Sequence, residues 1–541
     1  MAINHPKTDI GAYEADVKAT IVGLGDAGIV RRIWQKDHTV WKPEPTEITN
    51  RLGWLDVTDL MEEQTSMLQS FTRDVRDAGF RHVVLLGMGG SSLGAEVLGQ
   101  VFDSASQYPE LIVLDSTLPE SVQAVVEAIN PAHTLFLVSS KSGTTTEPLI
   151  LHVYFLDLLK KAVGKEKAGH NFIAITDPET PLVIIAQEEG FRQTFLNPPD
   201  IGGRYSVLSY FGLVPAALIG IDITAILQQA NHMREICAPQ VPPHENPGLW
   251  LGACMGTLAL KGRDKLTLVT SPSMGAFGLW IEQLIAESTG KEGKGIIPVA
   301  NEPLMQPIYY GNDRLFVYLR IESDQNQTTD TAISRLISSG YPVVVLEMRN
   351  RYDIGAEFFR WEFATAVAGA ILEINPFDQP DVQKAKDTTE HLLQEYGVSG
   401  HLPKMETTGS LAKLMTLADK GKYLAIMAYL RQTPEMDEAL AELRRKAEER
   451  YRIATTLGFG PRFLHSTGQL YKGGQNTGLF LQLIANHEKD LPIPGKPYTF
   501  GTVADAQALG DFHALQVAGR KVIRMNLSES KTSIIERLFQ S

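Results

Sequence analysis

R-H-V-V-L-L-G-M-G-G-S-S-L-G, Arg81 to Gly94, is the stretch from which the fold is read. The unbroken apolar run Val83–Leu86 describes a strand buried on both faces. A glycine-rich turn follows it, and a helix is predicted to begin near Leu93. Working outward, similar short apolar runs recur at 111–115 (L-I-V-L-D), 134–138 (T-L-F-L-V) and 172–177 (F-I-A-I-T-D), with helix-length segments between them. Continuous apolar strands alternating with helices predict a parallel sheet covered on both faces. Ligands of such sheets sit at the carboxyl ends of the strands. Both the Gly87–Gly94 turn and the segment after Val138 fall on that edge.

The pattern then restarts with K-L-T-L-V-T-S-P-S at 265–273, R-L-F-V-Y-L-R-I at 314–321 and P-V-V-V-L-E-M at 342–348. The strand closed by T-S-P-S echoes the one closed by S-S-K-S, so two doubly wound α/β units are expected, divided near the proline-rich stretch Ala238–Pro247. The expected organisation is a mostly helical N-terminal segment (1–75), a first unit (76–240), a second unit (241–390) and a C-terminal α/β extension (391–541) packing on the second unit. Strands at 423–429 and 521–527 could extend the second sheet. Thr433 and Pro434 read as the N-cap and first turn of a helix.

V-S-S-K-S-G-T-T-T-E, Val138 to Glu147, follows a buried strand and is rich in phosphate donors. Hydroxyls and backbone N–H groups can donate to phosphate oxygens, Gly143 permits close approach, and Lys141 brings charge. The Gly87–Gly94 turn by itself suits a dinucleotide, a phosphate or a plain chain reversal, and it matches neither G-x-G-x-x-G nor the Walker pattern. In Q-L-I-A-E-S-T-G-K, Gln283 to Lys291, Glu287 is a lone carboxylate in an apolar turn: either a solvated helix residue or a protected base. G-G-R-Y-S at 202–206 places Arg204 at the mouth of an apolar helix, as an ion-pair partner or facing a substrate oxyanion. His465, in G-P-R-F-L-H-S-T-G-Q-L-Y-K-G-G at 460–474, is the one histidine in a site-like context.

The 541 residues are 43% hydrophobic and carry a formal net charge of −13. That charge offers no field for nucleic acid or an anionic membrane, yet leaves room for an anionic small substrate held by local positive groups. Two cysteines, Cys237 and Cys254, are too few for a disulfide framework or thiolate metal site. There is no H-E-x-x-H, no signal-peptide core and no run approaching about 18 apolar residues. A cytoplasmic location is the expectation.

Jointly these segments resemble the phosphoglucose isomerase family, built from two sugar-isomerase (SIS) domains, over most of residues 80–390. G-G-S-S-L-G at 89–94 is similar to the family's first phosphate loop and S-K-S-G-T-T-T-E at 140–147 to its second, with Pro148 where the family usually has threonine. The resemblance implies substrate contacts from Gly90, Ser91, Ser140, Lys141, Ser142, Thr145, Gln283 and Gln379. It makes Glu287 the catalytic base and Arg204 the family arginine. N-P-F-D-Q-P-D-V-Q-K-A-K, Asn375 to Lys386, resembles the family's F-D-Q segment and places its lysine at Lys386. H-S-T-G-Q-L-Y-K-G-G at 465–474 reproduces the family's histidine pattern, but after the F-D-Q segment instead of before it.

The C-terminal part looks most like the isomerase half of bacterial transaldolase–phosphoglucose isomerase fusions. A transaldolase barrel of roughly 250 residues would not fit in the about 75 residues before the first sheet. What the resemblance implies is an aldose–ketose isomerase acting on glucose 6-phosphate and fructose 6-phosphate, with no metal or redox cofactor. It further implies a homodimer and a functional link to a transaldolase. A non-catalytic sugar-phosphate sensor would keep the Ser/Thr loop without needing Glu287 and Arg204. Activity on mannose 6-phosphate would share nearly every residue named.

Overall fold

The computed structural model describes residues 7–529. A short edge strand, β1 (Lys7–Asp9), opens the chain, and helices at Glu14–Asp26, Ile29–Trp34 and Val57–Asp77 follow. The first sheet comprises β2 (His82–Gly87), β3 (Glu110–Leu114), β4 (Thr134–Ser139), β5 (Phe172–Thr176) and β6 (Gln193–Leu196), in the order β3-β2-β4-β5-β6. The second holds β7 (Lys265–Thr270), β8 (Ile297–Val299), β9 (Arg314–Ile321) and β10 (Val343–Met348), in the order β1-β10-β9-β7-β8. Every pairing in these two sheets is parallel except β1 with β10. The two α/β units expected from the alternating pattern are therefore present, with helices on their faces.

The C-terminal strands stand apart from the second sheet. β11 (Tyr423–Tyr429) and β14 (Lys521–Asn526), which could have extended it, join β12 (Ala454–Phe459) and β13 (Gly478–Ile484) in a separate parallel sheet ordered β12-β11-β13-β14. The second sheet offers them only short edges. β1 covers one side, and the other ends at β8, three residues long with Pro298 at its centre, which lacks the N–H a ladder needs. Instead, Ile297 and Val299 of β8 pack with Tyr423, Ala425 and Phe480 in a shared apolar cluster. Nor is packing of the extension confined to the second unit: Leu393, Phe500, Val503 and Ala506 enter the core beneath the first sheet.

Counted from its earliest strand, the first sheet runs second–first–third–fourth–fifth. Connections leave the first strand in opposite directions in this order, opening a crevice at its carboxyl end. That crevice lies between β2 and β4, where Gly87 pairs with Ser139. The glycine-rich turn and the Ser/Thr-rich segment both begin there.

The N-terminal helical segment buttresses this edge with aromatic side chains. Trp54 stacks on Tyr205 at 5.3 Å, Tyr205 packs on Phe377 at 5.3 Å, and Phe377 meets Trp41 edge-on at 4.9 Å. Pairs of this kind contribute about 0.5–1.5 kcal/mol each beyond burial. Their effect here is positional: the residues beside Tyr205 and Phe377 are Arg204 and Asp378. Among the described residues, no helix is long and apolar enough to cross a membrane.

Candidate active site

Glu287 lies in the last turn of the helix Phe277–Thr289, a helix buried along nearly its whole length, its polar residues Glu282, Gln283, Ser288 and Thr289 included. One turn earlier, on the same face, Gln283 donates from Nε2 to Glu287 Oε2 at 3.1 Å. Arg204 Nε stands 3.4 Å from the same Oε2. The guanidinium is buried, and its Nη2 donates to the carbonyls of Phe377 and Asp378, each at 3.1 Å, and to the side-chain oxygen of Gln379. Arg204 Nη1 has no hydrogen-bond partner although buried. An orphaned guanidinium N–H beside a carboxylate is a donor left for an oxygen that is not part of the protein.

The turn that presents Arg204 is packed against the first loop without slack. A Cβ on Gly90 would stand 2.0 Å from the carbonyl oxygen of Gly203, and one on Gly89 (φ +54°) would stand 2.6 Å from the carbonyl oxygen of His465. Backbone thus meets backbone at both contacts, which is what the paired glycines permit.

The second loop also forms as expected in part. Ser139 Oγ donates to Ser91 O at 2.7 Å and joins the two loops, while Ser140 Oγ and Thr145 Oγ1 are 3.0 Å apart. Ser142 and Thr145 face a cleft of about 1050 Å³ that His465 and Lys386 also line. Lys141 is placed elsewhere: its ammonium pairs with Asp177 and donates to Pro199 O at 2.9 Å. Burial pushes that ammonium down, against the pull of Asp177.

His465 joins the two halves of the site. Its backbone carbonyl accepts from Gln283 Nε2 at 2.9 Å, and its ring Nε2 lies 2.9 Å from Glu147 Oε1. Glu147 is buried. Burial works to raise its pKa, but the charges of His465 and Lys386 and its hydrogen bonds outweigh burial and hold the carboxyl below the usual range. The segment's late position in the chain is no obstacle, because the third sheet delivers it to the crevice of the first.

Four participants were missed in the sequence. Glu147 closes the quoted loop segment, and a carboxylate ending a Ser/Thr-rich run before an apolar helix was the available signal. Lys291 and Asp378 act as a pair: Lys291 Nζ donates to Asp378 Oδ1 and to its carbonyl, both at 2.6 Å, pinning the loop that carries Gln379. Burial, then the charge of Arg204, pushes the Lys291 ammonium down to about 8. Gln507, whose Nε2 donates to Glu147 Oε1 at 2.7 Å, sits on a helix with no local motif.

A glucose-6-phosphate isomerase of Staphylococcus saprophyticus is 32% identical over 390 residues, spanning 64% of this chain and 87% of the relative. The chain belongs to the phosphoglucose isomerase family. The phosphoglucose isomerase family model matches residues 55–312, which include Glu147, Arg204, Gln283 and Glu287 and exclude Gln379, Lys386 and His465. A second phosphoglucose isomerase relative, the glucose-6-phosphate isomerase of Carboxydothermus hydrogenoformans, is 30% identical over 409 residues, covering 64% of this chain and 86% of that one. Among solved structures, a hypothetical protein from Thermus thermophilus superposes with a TM-score of 0.61 at 25% identity, covering 71% of this chain and 99% of its own. A Chlamydia trachomatis glucose-6-phosphate isomerase, at 19% identity and a TM-score of 0.55 over 70% and 79% of the two chains, shares the fold.

Proposed function

We propose that this chain interconverts glucose 6-phosphate and fructose 6-phosphate by metal-independent proton transfer through an enediolate. The observation that carries the reading is the placement of Arg204 between the Glu287 carboxylate and Gln379, with one buried N–H unpartnered. A base and a fixed cation beside one another suit abstraction of a proton next to a carbonyl.

The phosphate is held by the Gly90–Ser91 turn and by Ser140, Ser142 and Thr145, away from the reacting carbons; Lys141, turned to Asp177, adds its charge at longer range. A remote grip of this kind restrains the sugar in a reactive pose. His465, with Lys386 beside it, passes a proton to the ring oxygen as the C1–O5 bond of glucose 6-phosphate breaks. Glu287 then takes the proton from C2 and returns it to C1, while Arg204 faces the oxyanion formed between. Such a positioned charge contributes on the order of 10²–10³ in rate, and the general base roughly 10²–10⁴. Gln283 and Gln379 orient the base and the substrate hydroxyls.

The same reading assigns the enzyme to the cytoplasm, in glycolysis and gluconeogenesis, as a homodimer with a functional link to a transaldolase.

The deciding experiment measures fructose 6-phosphate turnover with EDTA present, for wild type and Glu287→Gln. Turnover that survives EDTA and collapses in the variant is the expected result. Turnover that persists in Glu287→Gln would remove that residue from the chemistry. Absence of turnover in wild type, with sugar phosphate still bound, would favour a sensor.

A further inference from the structure

The hydrogen bonds around Glu147 continue past His465 into a part of the protein to which the proposed chemistry assigns no role. Glu147 Oε1 accepts from His465 Nε2 and from Gln507 Nε2, and Gln507 Oε1 accepts in turn from Thr117 Oγ1 at 2.7 Å. Thr117, Glu147 and Gln507 are all buried. They arrive from three places: the loop after β3, the helix Thr146–Val163, and the helix Phe500–Val517 of the C-terminal extension.

The direction of this chain follows from charge. An ionised carboxylate only accepts hydrogen bonds. Gln507 must therefore turn its NH₂ toward Glu147, which leaves its carbonyl oxygen for Thr117, whose hydroxyl must donate. With Oε1 of Glu147 held as an acceptor from both sides, His465 must present Nε2–H to it. The other ring nitrogen, Nδ1, makes no hydrogen bond among the described residues and is the one left for substrate. The Glu147 carboxylate, braced by an amide that never touches the ring, thus sets which nitrogen exchanges a proton with the sugar.

We propose that Gln507, oriented by Thr117, is a positioning residue for ring opening: it braces the Glu147 carboxylate that holds His465 Nε2–H, so that the proton the imidazolium gives to the ring oxygen is the one on Nδ1, leaving the Nε2–H tautomer. This rests on the reading above, in which His465 serves the ring oxygen. It assigns the C-terminal extension a second task besides delivering His465, and it makes Gln507 and Thr117 matter only for substrates that must open.

The test compares fructose 6-phosphate with 5-deoxyfructose 6-phosphate, which lacks the hydroxyl that closes the ring, each followed by proton NMR. For Thr117→Val and Gln507→Leu, kcat on fructose 6-phosphate is expected to fall by about tenfold or more. KM should stay within about twofold, and turnover of the open-chain analogue should be unchanged. Thr117→Ser, which keeps the donor, should restore most of the lost rate. Should Gln507→Leu fail to fold, the isosteric Thr117→Val variant carries the comparison. Equal losses on both substrates, or no loss on either, would overturn the assignment. The parent reading is checked separately with His465→Gln. If that variant slows both substrates alike, His465 does not act in ring opening and the parent reading falls. If it slows only the closed sugar while the Thr117 and Gln507 variants do not, the parent reading stands and this inference falls.

Discussion

His465 Nε2 and Glu147 Oε1 stand 2.9 Å apart although 318 residues separate them along the chain. That contact brings the third sheet to the phosphate loop of the first, and the carbonyl of the same histidine reaches Gln283 on the helix of the base. In the proposed chemistry this one residue couples ring opening to proton transfer by position. Glu147→Gln removes the charge that orients the ring while keeping the shape. It should lower kcat on fructose 6-phosphate by about 10²-fold, with circular dichroism and the thermal midpoint close to wild type.

Arg204→Lys keeps a positive charge but loses the planar fork that reaches Gln379, the Phe377 and Asp378 carbonyls and Glu287 together. Steady-state kinetics should show kcat reduced by about 10²–10³. A variant with wild-type kcat would show that Arg204 serves only to hold the F-D-Q loop.

Gly90→Ala places a methyl group 2.0 Å from the carbonyl oxygen of Gly203, so the turn carrying Arg204 must retreat. Overpacking of this kind costs about 1–3 kcal/mol. Both the urea midpoint and kcat should drop. Gly203→Ala, where a Cβ would meet nothing within 4 Å, serves as the control for stability.

His487 fastens the extension to the first unit. Its Nδ1 lies 3.1 Å from Glu120 Oε1 and its Nε2 lies 3.3 Å from Asp505 Oδ1. Burial works against the charge, but the hydrogen bonds and charges of Asp505 and Glu120 outweigh it and push the imidazole up to about 10. An unfolded histidine titrates near about 6.5. Between these values the folded state binds the extra proton, so stability falls as pH rises. The contribution is complete below about 6.5, at about 1.5–3 kcal/mol for the charge-assisted bond to Glu120, and disappears as the pH passes the folded value. The gap in thermal midpoint between wild type and His487→Asn should be widest near pH 6 and close toward pH 10. A gap that is constant with pH would show that His487 acts by packing alone.

Glu147, Arg204, Glu287, Gln379 and His465 meet within a single chain. Specific activity should therefore stay constant on dilution through any concentration at which a homodimer separates, followed by sedimentation in parallel with the rate assay. Activity that falls with dissociation would show that the partner subunit completes or braces the site.

The sequence by itself determined β2, β3, β4 and β5 of the first sheet, β7, β9 and β10 of the second, and the two loops at the β2–β4 edge, and it singled out Arg204 and Glu287 as candidates. All of these are local signals: an apolar run bounded by glycine, or a polar residue alone in an apolar turn, carries its meaning within about ten residues. Tertiary structure alone decided that the C-terminal strands form a sheet of their own, because strand addition depends on the edge it finds and the second sheet ends in two three-residue strands, β1 and the Pro298-bearing β8. It also decided that Lys141 turns to Asp177, since an ammonium beside a partly buried carboxylate pairs with it whatever the loop motif suggests. The meeting of Thr117, Glu147, His465 and Gln507 belongs to the same class. No periodicity links positions so far apart, and only the packing of the extension against the first unit makes them neighbours.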